Sequence, residues 1–322
     1  MRLRALVFIM VIGLLLTGCT TRQAASPSTT SAHVTTTTVP ERLTTTTTTP
    51  QAPHLFVIMM ENTAYTTAIS TPSFLQLVKE YTLGSSYYGV AHPSLPNYLA
   101  LTSGSTQGIT SDCLTCYVSS GNLADQLDSR AVDWSAFFEG TDQPCYLGTS
   151  YGVYAAKHNP FRYYNDVRAS SSLCTRLQPL NALASFTAQS TPSQPLFAWI
   201  TPDICHDGHD CSLSVASSWL TSLIAQIQGS RAWTSDTAII VAWDEGNGGD
   251  PQGITPSGAI TTPGGGHAPL IVVSPHLEAG STISTPLNEY AVLATIEQTF
   301  GLPFLGNAAL WQHNSLATKL FP

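Results

Sequence analysis

Four short apolar segments constrain the fold of this chain more than any other feature of its sequence. They are residues 55–60, 196–200, 237–243 and 269–273. Each is rich in branched or aromatic side chains and is too short for a buried helix, which indicates strands buried on both faces. Helical patterns lie between them at residues 72–81, 122–127 and 214–227, and another follows the last segment at residues 288–300. The alternation predicts a single α/β domain with a mostly parallel central sheet and helices on both faces.

Acidic residues directly follow three of these predicted strands. Glu61 and Asn62 follow the first segment, Asp244 and Glu245 follow the third, and residues 203–210 (DICHDGHD) follow the second. Ligands of open α/β sheets bind at the carboxyl ends of the strands. The three clusters are therefore expected to meet at one edge of the sheet.

Apposed carboxylates repel one another, and a bound cation relieves that repulsion. The residues after the first and third segments offer only oxygen donors, which favours Mg²⁺, Ca²⁺ or Mn²⁺. If His209 and His267 join the site, Zn²⁺ becomes an alternative. The sequence predicts one divalent ion here and leaves its identity open.

A proline-flanked serine lies between the first strand and a predicted helix, in residues 92–101 (HPSLPNYLAL). The apolar pattern predicts a helix that begins near Pro96, so Ser94 lies close to its N-terminus, where backbone N–H groups favour an anion. By itself such a turn is typical of a helix cap. A neighbouring metal ion would activate the Ser94 hydroxyl as a nucleophile, and Asn97 is a candidate donor to phosphate.

Seven short segments occur in an order typical of one enzyme family. They are residues 60–62 (MEN), 92–104 (HPSLPNYLALTSG), 157–161 (KHNPF), 202–210, 243–246 (WDEG), 266–269 (GHAP) and 290–302. On these segments the chain resembles the bacterial phosphoesterase family of acid phosphatases and phospholipases C, a branch of the alkaline-phosphatase-like superfamily. The resemblance implies metal-dependent hydrolysis of phosphate esters through a phosphoserine intermediate.

The resemblance also implies roles for individual residues. Ser94 matches the nucleophile. The implied metal ligands are Glu61, Asn62, Asp244 and Glu245, and the implied phosphate ligands are Asn97, Lys157 and His158. Where the superfamily holds a second ion, the matching positions are Asp207, His209 and His267.

Some of these positions bear on the protonation of the leaving group, and others bear on the number of metal ions. His209 and His267 are the candidates to protonate the leaving oxygen. The superfamily's two-metal pattern has Asp-His after the third strand, and Asp244-Glu245 here favours one firmly bound ion. His206 is interpreted as a neighbour of the site.

The N-terminal residues predict export. Arg2 and Arg4 precede an apolar run that ends in Leu-Thr-Gly-Cys, which is typical of a signal peptide over residues 1–19 whose Cys19 is lipidated. Residues 20–53 form a predicted disordered stalk rich in Thr, Ser and Pro, and residues 54–322 form the phosphoesterase domain. The expected location is the outer face of the cell membrane, through a lipid anchor. An ordinary secretory signal is the alternative.

Cysteine usage and charge agree with that location. Besides Cys19, six cysteines remain, and sequence neighbours are the favoured disulfide pairs: Cys113 with Cys116, Cys145 with Cys174, and Cys205 with Cys211. A redox-active pair at Cys113 and Cys116 is the alternative. The net charge is −8 without a basic stripe, so a nucleic-acid partner is not expected.

Several functions fit parts of the sequence. We expect an acid-phosphatase-like phosphomonoesterase that acts on a phosphorylated small molecule. A phospholipase C or phosphodiesterase that acts on phospholipids is the alternative. Residues 148–152 (GTSYG) match the serine-esterase elbow around Ser150, although no strong strand precedes them. A non-catalytic surface adhesin would also fit the stalk.

Overall fold

The computed structural model describes residues 51–322. The predicted signal peptide, Cys19 with its predicted lipid, and the predicted stalk up to residue 50 lie outside the described residues. Within the described range, no helix combines the length and the apolar character that a membrane crossing requires.

Parallel strand pairing dominates the central sheet. The strands are β1 (His54–Met60), β2 (Thr82–Tyr88), β3 (Asp133–Phe138), β4 (Ser150–Tyr151), β5 (Tyr154–Ala155), β6 (Leu177–Pro179), β7 (Leu196–Thr201), β8 (Thr237–Trp243), β9 (Gly253–Ile254), β10 (Ile260–Thr261), β11 (His267–Val273) and β12 (Thr282–Ile283). Eight of them form one sheet in the order β12-β2-β11-β8-β1-β7-β3-β6. Only β11 runs antiparallel to its neighbours in this sheet, β2 and β8. This confirms the predicted fold class.

The centre of the sheet is apolar on both faces. Every residue of β1, β7 and β8 is buried, and β1 pairs in parallel with β7 on one side and with β8 on the other. The register places Met60 opposite Trp243. Because the next residues are Glu61 and Asp244, this register brings two acids side by side at the carboxyl edge.

Ten α-helices and four 3₁₀ helices surround the sheet in the described residues. The α-helices are α1 (Tyr65–Ala68), α2 (Pro72–Glu80), α3 (Ser94–Ser103), α4 (Leu123–Ser129), α5 (Asn165–Ala169), α6 (Ser171–Cys174), α7 (Leu183–Gln189), α8 (Leu213–Gln228), α9 (Glu289–Phe300) and α10 (Ala317–Leu320). The 3₁₀ helices span Ala156–His158, Pro160–Tyr163, Leu180–Ala182 and Gly306–Asn314. Helix α2 packs against α8, and α3 packs against α9.

Local signals set most of the helix ends. The side chains of Asn122 and Asn288 accept backbone N–H bonds at the starts of α4 and α9, and Gly301 ends α9 in the left-handed conformation. Thr71 precedes α2 without a capping hydrogen bond, and its hydroxyl donates to the Thr67 carbonyl instead. Helix α3 begins at Ser94, two residues before the predicted start.

Three disulfides join the pairs Cys113–Cys116, Cys145–Cys174 and Cys205–Cys211. This is the predicted pairing. The third disulfide closes the loop after β7, which carries Asp207 and His209.

The side chain of Glu297, in α9, is a buried carboxyl group. It is fully buried, its Oε1 accepts the backbone N–H of Leu305 at 2.7 Å, and its Oε2 has no hydrogen-bond partner. Burial raises the pKa of Glu297 to about 8 from an ordinary value of 4.5. Between these two pH values the folded domain holds a proton that the unfolded chain releases, so stability falls as pH rises.

We therefore expect Glu297→Gln to remove this part of the pH dependence, because the amide mimics the neutral acid. Relative to the wild type, the free energy of unfolding of the variant should increase by about 3 kcal/mol as the pH rises from about 5 to about 8. Urea unfolding at several pH values measures the gap. The exposed Glu278→Gln serves as the control. A gap that stays constant with pH would contradict the prediction.

Candidate active site

Backbone contacts bring the ends of three strands together. The Glu61 N–H donates to the Asp207 carbonyl at 2.9 Å, and the Asp244 N–H donates to the Met60 carbonyl at 2.9 Å. Asn62 has a φ of 42°, and its N–H donates to Asp244 Oδ1 at 3.1 Å. A non-glycine residue in this left-handed region is uncommon and often marks a functional turn.

Ser94 is held against one of these acids. It is the first residue of α3, is 1% exposed, and donates from Oγ to Glu61 Oε2 at 3.0 Å. One turn later, the Tyr98 hydroxyl donates to Glu61 Oε1 at 2.8 Å. The carboxylate is therefore fixed in a position to accept the proton of the Ser94 hydroxyl.

His158 lies between two of the acids. Its Nε2 is 3.1 Å from Glu61 Oε1, and its Nδ1 is 3.1 Å from Asp207 Oδ2. The ring also stacks on Tyr98, with centroids 5.4 Å apart. Burial, followed by the nearby Lys157 charge, lowers the pKa of His158 to about 3. This imidazole is therefore neutral, and it lies between the two carboxyl groups without a well-aligned hydrogen bond to either.

Lys157 supplies a positive charge beside α3. Its Nζ donates to Asp112 Oδ2 at 2.9 Å, while Asp112 Oδ1 accepts the N–H of Leu95 at 3.0 Å. Burial opposes the charge of Lys157, but the hydrogen bond to Asp112 and the negative charges of Glu61, Asp112 and Asp244 together outweigh burial and raise its pKa. Asp112 thus connects the ammonium group to the residue after Ser94.

The pKa values of four carboxyl groups in the site are raised, and burial is the largest cause for each. Burial, then Asp244 and Asp207, raises the pKa of Glu61 well above its ordinary value. Burial also raises the pKa of Asp244, and it raises the pKa of Asp207 to about 7. For Glu245, burial and the Asp244 charge raise the pKa to about 9.

Some carboxylate oxygens of this cluster have no partner. Asp244 Oδ2 and Asp207 Oδ2 are buried without a hydrogen bond. Glu245 differs, because His92 Nδ1 lies 2.5 Å from its Oε2. A hard divalent cation satisfies unpaired carboxylate oxygens and offsets their mutual repulsion. The predicted ligand residues therefore suit the predicted ion in donor chemistry.

The structure also contains a group of metal-ligand type outside the predicted set. Glu139, Asp203 and His206 place one ligand atom each within 4.8 Å of one another. Among residues 51–322, this is the one group of His, Cys, Asp and Glu side chains that meets this distance.

Two predicted site residues, His267 and Asn97, contact residues other than the clustered acids. The His267 ring stacks between Tyr65 and Tyr88, at centroid distances of 4.2 and 4.4 Å, and its Nε2 is 3.1 Å from the Ser85 carbonyl. The Asn97 side chain is bonded to the Ala91 N–H and carbonyl at 2.8 Å each. Asn97 therefore shapes the loop before Ser94, and its role with phosphate stays a prediction.

His209 lies closer to the acids. Its ring centroid is 6.1 Å from that of His158, and its N–H donates to Asp207 Oδ1 at 2.8 Å. Its Nδ1 lies 2.7 Å from Asp210 Oδ1, which fixes the ring. Tyr98 and Asp112 are the site residues that sequence reasoning missed. Nothing in their local sequence indicates that they contact Glu61 and Lys157.

The family model described as "Phosphoesterase family" matches residues 56–303. The chain belongs to this family. A "Phosphate-repressible acid phosphatase" of Penicillium chrysogenum is 28% identical over 255 residues, which are 77% of this chain and 59% of that protein. The chain thus spans little more than half the length of this fungal member. A "Phosphatidylinositol-3-phosphatase" of Mycobacterium tuberculosis is 29% identical over 267 residues, or 80% of each chain.

Solved structures of low sequence identity share the fold. An alkaline phosphatase superfamily protein from Vibrio parahaemolyticus has a TM-score of 0.53 at 12% identity, over 81% of this chain and 70% of that one. The lipoteichoic acid synthase LtaP from Listeria monocytogenes has a TM-score of 0.52 at 11% identity, over 81% and 76% of the two chains. These similarities confirm the predicted alkaline-phosphatase-like fold of this chain.

Crowding of buried acids leads to a prediction about stability. We expect Asp244→Asn to raise the melting temperature of chelator-treated protein at pH 8 by about 3 °C or more, because it removes a buried negative charge and keeps the oxygen that accepts the Asn62 N–H. Adding Mg²⁺ or Mn²⁺ should stabilise the wild type more than this variant. The exposed Asp128→Asn is the matched control. A lower melting temperature of Asp244→Asn in chelator would show that the Asp244 charge does not destabilise the metal-free protein.

Proposed function

We propose that this protein hydrolyses phosphate monoesters, with Ser94 as the nucleophile. The observation that carries the proposal is the 3.0 Å hydrogen bond from Ser94 Oγ to Glu61 Oε2 at the edge where three acid-bearing strands end. Membership of the Phosphoesterase family and the names of its curated relatives, which are phosphatases, support this reaction class.

Each step of the proposed reaction has a residue to perform it. Ser94 Oγ attacks phosphorus, and its proton moves along the hydrogen bond to Glu61. The bond from phosphorus to the leaving oxygen breaks, and that oxygen takes a proton from His209, which lies beside the cluster. Water then attacks the phosphoserine and gives a proton back to His209, the Ser94 oxygen leaves with the proton held by Glu61, and inorganic phosphate is released.

Positive charge must balance the phosphoryl oxygens during these steps. Lys157, held by Asp112 next to Leu95, supplies one such charge. A divalent cation bound by Glu61, Asn62, Asp244 and Glu245 would supply the rest by neutralising charge on phosphate oxygens. The unpartnered Asp244 Oδ2 supports this assignment. We propose one such ion, without choosing among Mg²⁺, Ca²⁺, Mn²⁺ and Zn²⁺.

Replacing Ser94 by Ala should reduce hydrolysis of a chromogenic phosphomonoester by about 1,000-fold or more, because the variant lacks the hydroxyl that is proposed to form the covalent intermediate. Acid-quenched wild type should carry phosphate from labelled substrate, and Ser94→Ala should not. The control is Ser150→Ala, which alters the exposed serine of the esterase-like segment. Loss of activity in Ser150→Ala alone would overturn the assignment of Ser94, and an inactive wild type would favour the adhesin.

The substrate class has two alternatives to a soluble monoester. The Mycobacterium tuberculosis protein called phosphatidylinositol-3-phosphatase covers 80% of both chains, which favours a lipid headgroup monoester as a second candidate. A phospholipase C activity would instead cleave a diester. The same assay, run on a soluble monoester, a phosphoinositide monophosphate and a phospholipid diester, separates these three.

We also propose that the protein is exported and held at the outer face of the cell membrane through a lipid on Cys19. Three disulfides in the described residues fit an exported protein, and the N-terminal sequence supports a lipid anchor. Cys19→Ala should move the protein from the membrane fraction to the medium or to an uncleaved precursor, as measured by immunoblot. An unchanged membrane fraction would contradict the anchor.

A further inference from the structure

Three side chains of metal-ligand type converge at a second place near the carboxyl edge of the sheet. His206 Nδ1 lies 2.9 Å from Glu139 Oε2 and 3.4 Å from Asp203 Oδ2. Glu139 directly follows β3 and Asp203 comes two residues after β7, and these strands are neighbours in the sheet. This triad shares no residue with the set proposed to surround Ser94.

Groups outside the triad hold each ligand in place. The Trp219 indole N–H donates to Glu139 Oε1 at 3.2 Å, and the same indole stacks on the His206 ring at 5.7 Å between centroids. Asp203 Oδ1 accepts the N–H groups of Cys205 and His206, both at 2.9 Å. The remaining atoms, Glu139 Oε2, Asp203 Oδ2 and His206 Nδ1, face one another. Supporting bonds of this kind are typical around metal ligands.

The loop around the triad is also constrained. The Cys205–Cys211 disulfide closes it, and the Asp203 N–H donates to Glu139 Oε2 at 3.1 Å. Further along, Asp207 belongs to the cluster beside Ser94, and its N–H donates to the Asp203 carbonyl at 2.8 Å. The position of the triad thus determines the position of an acid in the candidate active site.

Charge distinguishes a metal site from an ion pair. One N–H at Nδ1 has to serve two carboxylates, at 2.9 and 3.4 Å, and even an imidazolium leaves the triad with a net negative charge. A divalent cation between a neutral imidazole and two carboxylates gives zero net charge. One nitrogen and two oxygen donors suit a transition metal better than Ca²⁺ or Mg²⁺.

We propose that Glu139, Asp203 and His206 bind a divalent transition-metal ion, such as Zn²⁺, that is separate from the ion proposed beside Ser94. Asp203 is buried, whereas Glu139 and His206 are partly exposed and leave the remaining coordination positions of the ion to water. The ion links the end of β3 to the loop after β7 and so fixes the segment that carries Asp207. Its role is structural, and the proposal does not depend on the proposed reaction.

Zinc binding to the purified, chelator-treated protein tests this directly. Equilibrium dialysis followed by metal analysis should show that His206→Ala binds about one Zn²⁺ per chain less than the wild type. The matched control is His276→Ala, since His276 contacts a single carboxylate, that of Asp236, at 3.4 Å. Glu139→Gln should lose the same ion. Equal zinc content in the wild type, His206→Ala and Glu139→Gln would overturn the proposal and leave an ion pair only.

Two further variants distinguish loss of the triad's ion from a folding defect and from loss of the ion beside Ser94. Trp219→Phe keeps an aromatic ring beside His206 and removes the donor to Glu139, so zinc affinity should fall by about tenfold. Asp244→Asn should lower binding at the site beside Ser94 and leave the ion of the triad in place. Loss of the triad's ion in Asp244→Asn would show that the two sites are one. Zinc content is measured independently of activity, so a negative result would overturn the zinc proposal without overturning the proposed hydrolysis.

Discussion

The parallel alignment of β7, β1 and β8 is the constraint on which the rest of the site depends. The three strands are fully buried, and their register places the residue after Met60 beside the residue after Trp243. The loops that leave these strands consequently start at the same edge. Apolar burial of the strands thus provides the free energy that holds Glu61, Asp207 and Asp244 together against their mutual repulsion.

Glu61 links the structural and the chemical parts of this arrangement. Its two oxygens contact Ser94, Tyr98 and His158, while its backbone N–H is bonded to the loop that carries Asp207. Burial raises the pKa of its carboxyl group, which suits its proposed role of taking up and returning the Ser94 proton. The same burial makes the cluster costly to keep ionised without a cation.

Sequence prediction succeeded where one local signal dominates. Strands β1, β7, β8 and β11 are continuous apolar runs, and α4 and α9 begin after asparagine caps. Strand β2 (TLGSSYY) escapes prediction because Gly84 and its serines interrupt the apolar pattern, and its pairing with β11 and β12 determines its conformation. Tyr98 and Asp112 escape prediction for a similar reason, since their contacts, Glu61 and Lys157, are distant from them in the chain.

The sequence by itself determined the fold class, the family and the residues that follow each strand, because strand burial and cysteine spacing are written in short local patterns. Only the tertiary structure decided which side chains meet. It placed Ser94 on Glu61, placed His158 between two acids, directed Asn97 to its own loop, and joined His206 to Glu139 and Asp203. These outcomes depend on strand register and loop geometry, which are set by packing across the whole domain and cannot be read from neighbouring residues.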